Sequence, residues 1–199
     1  MEFDLTAMLV FVFVTTFTPG PNNLLSASMG ALHGYRRTVP FLFGIMGGFL
    51  TIMVLSATIS TALRSFLPSA TPVLRILGAA YILYLAFGIY RGSGALLERP
   101  ADARPLPFRT GLMLQFVNPK AIFYGLTIYS AFLAPVPRNS QLFFWSPLLL
   151  APITFAAIST WALAGQAIRS LVNTPMRARV VGLALALSLV YTAIDLLFG

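Results

Sequence analysis

Thr18-Pro19-Gly20-Pro21-Asn22-Asn23 lies inside an apolar run that starts at Leu5 and resumes at Leu24. Each proline lacks an N–H, and its ring clashes with the carbonyl one turn back, so no regular helix continues through two of them around a glycine. In water the stretch would be a loop. Within a bilayer, broken backbone is tolerated only where protein buries it or where it lines a cavity. A second interruption stands at Asn118-Pro119, and the remaining chain reads as scaffold around the two.

The surroundings of these breaks are those of a membrane protein. Of 199 residues, 58% are hydrophobic and 9% charged, with mean hydropathy +0.85, whereas a soluble domain carries about 25% charged residues. No polar stretch is long enough for a separate soluble domain. The net charge of +8 is spread between apolar segments. Nucleic-acid binding needs a clustered basic face, so no nucleic-acid partner is expected. Cysteine is absent, which excludes disulfides, thiolate metal sites and thiol redox chemistry. The start, Met1-Glu2-Phe3-Asp4, is acidic, unlike the positive n-region of a secretory signal. The first apolar run is therefore expected to be a retained span.

Crossing the hydrocarbon core takes about 20 apolar residues, and six stretches qualify or nearly so. They run from about Leu5 to Leu32, Val39 to Leu63, Leu74 to Tyr90, Phe108 to Ala134, Leu142 to Ile168 and Val180 to Phe198. Gly34, Gly92 and Gly94 follow helices as C-terminal stops do. Pro68 and Pro72 bracket the link between spans two and three. Pro100, Pro105 and Pro107 mark the longest connection, Pro135 and Pro137 end span four, and Pro175 opens span six, where a missing N–H costs nothing. Nine arginines (Arg36, Arg37, Arg91, Arg99, Arg104, Arg109, Arg169, Arg177 and Arg179) lie on one side, against Arg64, Arg75 and Arg138 on the other. Positive loops face the cytoplasm, so both termini are expected outside, with the basic loops favouring anionic lipid headgroups.

The halves, about 1–98 and 105–199, look related within one transmembrane domain. Gly20-Pro21 aligns with Asn118-Pro119, and Leu77-Gly78-Ala79-Ala80 resembles Val181-Gly182-Leu183-Ala184. With three helices per half, the second must be inverted. The expected fold is therefore all-α and integral to the membrane: six transmembrane helices in two inverted three-helix repeats, with helices one and four broken by proline motifs. Such an arrangement places a secondary transporter's site between the repeats.

The first break offers Thr18, Asn22 and Asn23, followed by Ser26 and Ser28. A helix restarting at Pro21 presents free N–H groups and a positive dipole end to an anion. The carbonyls freed before Pro19 attract a cation. A zwitterionic amino acid has one of each. Asn22 and Asn23 could equally cap the new helix. The second break carries Lys120, the only lysine. A charge near the bilayer centre is costly and faces a cavity or a partner, unless it snorkels to an interface. Lys120 could bind a carboxylate or carry a proton. Gln115 and Asn118 add neutral hydrogen bonding, and Tyr124, one turn beyond Lys120, shares its face. The candidate substrate-binding set is thus Thr18, Pro19, Gly20, Pro21, Asn22, Asn23, Gln115, Asn118, Pro119, Lys120 and Tyr124.

Other residues carry less. His33 beside Gly34 reads as an interfacial cap. Gly44, Gly47 and Gly48 with Ala79 and Ala80 allow close contact of spans two and three. Trp161 could face cavity or lipid. Glu2, Asp4, Glu98, Asp102 and Asp195 all fall near span ends or in loops, so a carboxylate relay across the membrane is not expected. No catalytic residue, metal site or cofactor is expected, and no feature of the sequence specifies an oligomeric state.

Thr18-Pro19-Gly20-Pro21-Asn22-Asn23, Leu77-Gly78-Ala79-Ala80-Tyr81 and Phe116-Val117-Asn118-Pro119-Lys120-Ala121 resemble motifs of the lysine exporter/homoserine-threonine resistance (LysE/RhtB) family of bacterial inner-membrane amino-acid exporters. The resemblance covers nearly the whole chain. Asn22-Asn23, Gln115-Phe116-Val117-Asn118 and Trp161-Ala162-Leu163-Ala164-Gly165 are most similar to its cysteine/O-acetylserine branch. Many members have aspartate where this chain has Asn22. The resemblance implies a secondary active exporter of a small amino acid or derivative (cysteine/O-acetylserine or homoserine/threonine class) in the inner membrane, working by proton antiport and alternating access, and not an enzyme. The missing aspartate leaves Lys120, or the substrate amine itself, as the moving charge. Distant relatives in the superfamily carry electrons through paired cysteines, which this chain lacks. The alternatives are a metal-ion exporter, which would need clustered carboxylates or histidines, and a non-transporting integral membrane binding protein.

Overall fold

The computed structural model describes residues 3–91, 104–170, 172 and 174–198, and the side chains of 59–71, 74 and 170 are outside that description. Expectations resting on Glu2, Gly92, Gly94, Glu98, Arg99, Pro100 and Asp102, and on the side chains of Arg64 and Pro68, lie outside the described residues. The elements are α1 (Leu5–Phe17), α2 (Pro21–His33), α3 (Tyr35–Arg91), α4 (Phe108–Val117), α5 (Pro119–Thr127), α6 (Gln141–Ser170) and α7 (Pro175–Phe198). Among the described residues there is no strand. Three stretches, Tyr35–Thr58, Gln141–Arg169 and Pro175–Phe198, are each long and apolar enough to cross a membrane. The pair α1 and α2, bent by 44° at its break, makes a fourth if counted as one span.

Local chemistry sets the helix ends. Asp4 accepts the Ala7 N–H at 2.9 Å and opens α1. Pro21, Pro119 and Pro175 each stand at the first position of a helix, where the absent N–H is one the helix would leave unused. Gly34, at φ 77°, closes α2 in a conformation that a side chain would strain. The turn after it is capped from α6: Gln166 Oε1 accepts the Tyr35 N–H at 2.6 Å, and Arg169 Nη1 donates to the Leu32 carbonyl at 2.9 Å. The capping role expected of His33 thus belongs to Gln166 and Arg169. After α5 the chain widens into a π-turn, Ile128–Phe132, and leaves the helix at Leu133. Within α6, Pro147 cannot bond the Phe143 carbonyl, and the Ser146 hydroxyl donates to it instead at 2.8 Å.

The helical backbone of α3 runs 57 residues, straight through the link expected around Pro68 and Pro72. It does not run straight in space. Gly48 lies against Gln115, and Gly78 lies against Val117, two residues further along the same neighbour. Thirty residues of straight helix would separate the two glycines by about 45 Å. α3 therefore doubles back as two antiparallel arms. Its first arm packs on α4 and α5, and its second on α7, where Gly78 also meets Leu196. This corrects the expected partnering of Gly44 and Gly48: both face α4, at Phe108 and Leu112, not Ala79 and Ala80.

Burial follows membrane logic. On α7 the inward residues include the small Ala178, Gly182, Ala186 and Ala193, while Val180, Leu183, Leu187 and Ile194 point outward. Lipid is as apolar as leucine, so helices associate through close backbone approach at small residues. α2 and α6 show this most closely. A Cβ on Gly30 would collide with the Ala162 carbonyl, and one on Gly165 with the Ala27 carbonyl.

Candidate functional site

The two interruptions meet through side-chain hydrogen bonds. The first leaves the last carbonyls of α1 without helical partners, and side chains from three elements take them. Asn23 Nδ2 donates to the carbonyls of Thr16 (2.9 Å) and Thr18 (2.8 Å). Trp161 Nε1 donates to the Phe17 carbonyl at 3.2 Å, so this tryptophan ties α6 to the break. Lys120 Nζ donates to the Thr18 carbonyl (3.1 Å), the Thr18 hydroxyl (3.0 Å) and the Pro19 carbonyl (3.3 Å). Three ammonium N–H bonds meet three acceptors, at a helix C-terminus whose dipole favours a cation. The lysine side chain lies flat against Gly20, where a Cβ would stand 3.1 Å from its Cδ and Nζ.

Asn22 links the two breaks. Its Nδ2 donates to Gln115 Oε1 at 3.0 Å, and Gln115 Nε2 donates back to Asn22 Oδ1 at 2.9 Å. Asn118 Nδ2 donates to the same Oδ1 at 3.0 Å. Asn118 meanwhile caps α5, its Oδ1 accepting the Lys120 N–H at 3.1 Å. Gln115 and Asn118 are buried, at 0% and 2% exposure, while Asn22 is half-buried. At the start of α2, Gly20 provides no side-chain cap.

Two cavities share residues of this junction. One, about 50 Å³, is lined by Thr15, Thr16, Asn22, Asn23, Phe49, Tyr124, Thr154 and Ile158. The other, about 210 Å³, is lined by Pro19, Pro21, Arg75, Phe123, Thr192 and Asp195. Gly20, Asn118 and Lys120 belong to both walls. A third cavity, about 440 Å³, lies between α2 and the second arm of α3, beside His33, Arg91 and Arg104.

The expected residues fall as follows. Thr18, Asn22, Asn23, Gln115, Asn118 and Lys120 form one hydrogen-bonded cluster, with Pro19 accepting from Lys120. Tyr124 shares a cavity wall with Lys120, and Pro21 and Pro119 start the two half-helices. Sequence reasoning missed Thr16, Thr154 and Arg75, which nothing local distinguishes from ordinary helical residues. Asp195 is exposed, as expected of a residue near a span end, and it also lines the larger cavity beside Lys120. Among the described residues no three His, Asp or Glu side chains gather as metal ligands do.

Helices with apolar outer faces, interrupted at a lysine-bearing polar cluster that lines two cavities, are features of a membrane translocator. The sequence comparisons give the family: its model, described as "LysE type translocator", matches residues 13–199. The chain belongs to the LysE translocator family, and is a transporter rather than an enzyme. Curated proteins from Escherichia coli (strain K12), Escherichia coli O9:H4 (strain HS) and Shigella flexneri serotype 5b (strain 8401), each described as "Cysteine/O-acetylserine efflux protein", are 37% identical over 194 residues. The alignment covers 98% of this chain and 97% of each relative. No solved structure matches the chain.

Proposed function

We propose that this chain is a secondary active exporter of small amino acids or their derivatives, of the cysteine/O-acetylserine and homoserine/threonine class, driven by proton antiport. It resides in the inner membrane with both termini outside. On this reading the two arms of α3 count as two spans, and α4 with α5 as one broken span, giving six crossings. The two halves are then inverted repeats. The packing supports this, since the first arm of α3 lies on the broken helix of the other half, and α6 lies on α2 in return.

One observation carries the proposal: the Lys120 ammonium occupies the carbonyls of the first break, and the residue lines two cavities. The lysine is a tethered stand-in for a substrate amine. A zwitterion arriving at the break places its own ammonium on the Thr18 and Pro19 carbonyls. Lys120 is released, and the substrate carboxylate, lying toward the start of α2, becomes its partner. Asn22, Gln115 and Asn118 close the site until that exchange occurs, and their rearrangement lets the repeats rock. Asn22 cannot titrate, so Lys120 is assigned the returning proton. Differential contacts in the two states provide the coupling that alternating access needs. The names of the relatives point to the same cargo.

The test is efflux from vesicles containing the purified chain, loaded with labelled O-acetylserine, cysteine, homoserine or threonine. Protein-dependent efflux that accelerates under an imposed proton gradient is expected for at least one. No protein-dependent flux of any of the four would remove the substrate class.

A further inference from the structure

Resting on the exporter reading above, we propose that Thr16, Thr154 and Tyr124 form a subsite for the cargo's side chain, selecting amino acids with a short polar side chain (hydroxyl, thiol or ester) over alkyl ones. All three hydroxyl oxygens are buried and have no hydrogen-bond partner. All three residues line the small cavity that Asn22, Asn23 and Lys120 also line. Thr154 and Tyr124 are each 5% exposed. The Tyr124 and Thr16 hydroxyls are neighbours without meeting hydrogen-bond geometry.

Buried polar groups are normally satisfied, and each exception calls for a cause. Helical threonines have an easy one to hand, because the hydroxyl can donate to the carbonyl one turn back. Thr38, Thr51, Thr160 and Thr192 all do so, at 2.8–2.9 Å. Thr16 and Thr154 do not, although they sit in helices of the same kind. The Tyr124 ring is fixed between Phe11 and Phe49, at centroid distances of 5.7 and 5.5 Å, so its hydroxyl is held in place. Three residues with unpartnered buried hydroxyls thus line one cavity beside the break. The cavity, about 50 Å³, is far below the roughly 300–1,000 Å³ of a pocket for a whole ligand. It accepts a side chain while the ammonium and carboxylate stay at the break.

A site built to hydrogen-bond a polar group rejects the analogue lacking it, because its own buried groups are then left unpaired. Homoserine and norvaline differ only by a terminal hydroxyl in place of a methyl, so they isolate the effect. Vesicles containing the full chain, loaded with both, should release homoserine faster than norvaline. In Thr154→Val and Tyr124→Phe, and in Thr16→Val, the homoserine-to-norvaline flux ratio should fall by about fivefold per productive hydroxyl. Since both fluxes come from the same vesicles, a variant that inserts poorly lowers both and leaves the ratio readable. Equal fluxes in the unaltered chain, or a ratio unchanged in all three variants, would overturn the subsite while the exporter reading stands. Absence of flux for either amino acid, and for O-acetylserine, would overturn both.

Discussion

Asn22 engages in three hydrogen bonds with Gln115 and Asn118, which gives it a structural role where the two breaks join. Asn22→Ala leaves the wholly buried Gln115 amide without its main partner. An orphaned buried polar group costs about 1–3 kcal/mol, so thermal unfolding in detergent should show a lower Tm, and an unchanged Tm would mean the latch carries no weight. Asn22→Asp, the residue found in many members of the family this chain resembles, keeps both accepted bonds but turns a carboxylate oxygen towards Gln115 Oε1. Lys120 separates binding from coupling. Arginine keeps the charge yet does not give up its proton. Lys120→Arg should therefore retain exchange of labelled for unlabelled substrate and lose acceleration by the proton gradient. Lys120→Met should lose both while still inserting. A gradient response surviving in Lys120→Arg would move the proton to another group.

At the scale of elements, the α2–α6 contact sets how closely the broken helix approaches its neighbour. Backbone faces backbone at Gly30 and Gly165, so no flexible side chain can yield. Gly30→Ala and Gly165→Ala should each destabilise by about 1–3 kcal/mol, the usual effect of overpacking. Gly88 is the internal control, since a Cβ there meets nothing within 4 Å. Gly88→Ala should be neutral or raise stability by about 0.5–1 kcal/mol, through the helix preference for alanine. Melting curves of the three variants in one detergent decide the matter, and equal behaviour at all three positions would contradict the packing described.

At the scale of the molecule, orientation can be read directly because the chain has no cysteine. Single cysteines at Phe3, Asn139 and Thr174 can be probed with a membrane-impermeant maleimide on intact cells and on inverted vesicles. Phe3→Cys and Asn139→Cys should react from outside, and Thr174→Cys only from the cytoplasmic side. Reaction of all three from one side would break the six-crossing inverted arrangement. The fold brings Arg75 and Asp195, from α3 and α7, to the cavity beside Lys120. Neither residue's local sequence announces this, because each sits in an apolar helix whose neighbours are set by the packing of the whole bundle.

Composition and proline placement alone mark the membrane class and the two helix interruptions, and they single out polar residues that meet there. Those are local or compositional properties: proline cannot donate, a charge deficit excludes water-facing surface, and a lone lysine in an apolar segment needs a partner. Which partner each group finds depends on the packing of the folded chain. It put Lys120 on the carbonyls before Pro19, turned Gly44 and Gly48 toward α4, and took the turn after α2 from His33 to Gln166 and Arg169. It also left the hydroxyls of Thr16, Thr154 and Tyr124 unmatched around one cavity. Between apolar helices in lipid, the hydrophobic pattern gives little preference among faces, so partners are chosen by close backbone approach and by hydrogen bonds between residues about a hundred positions apart.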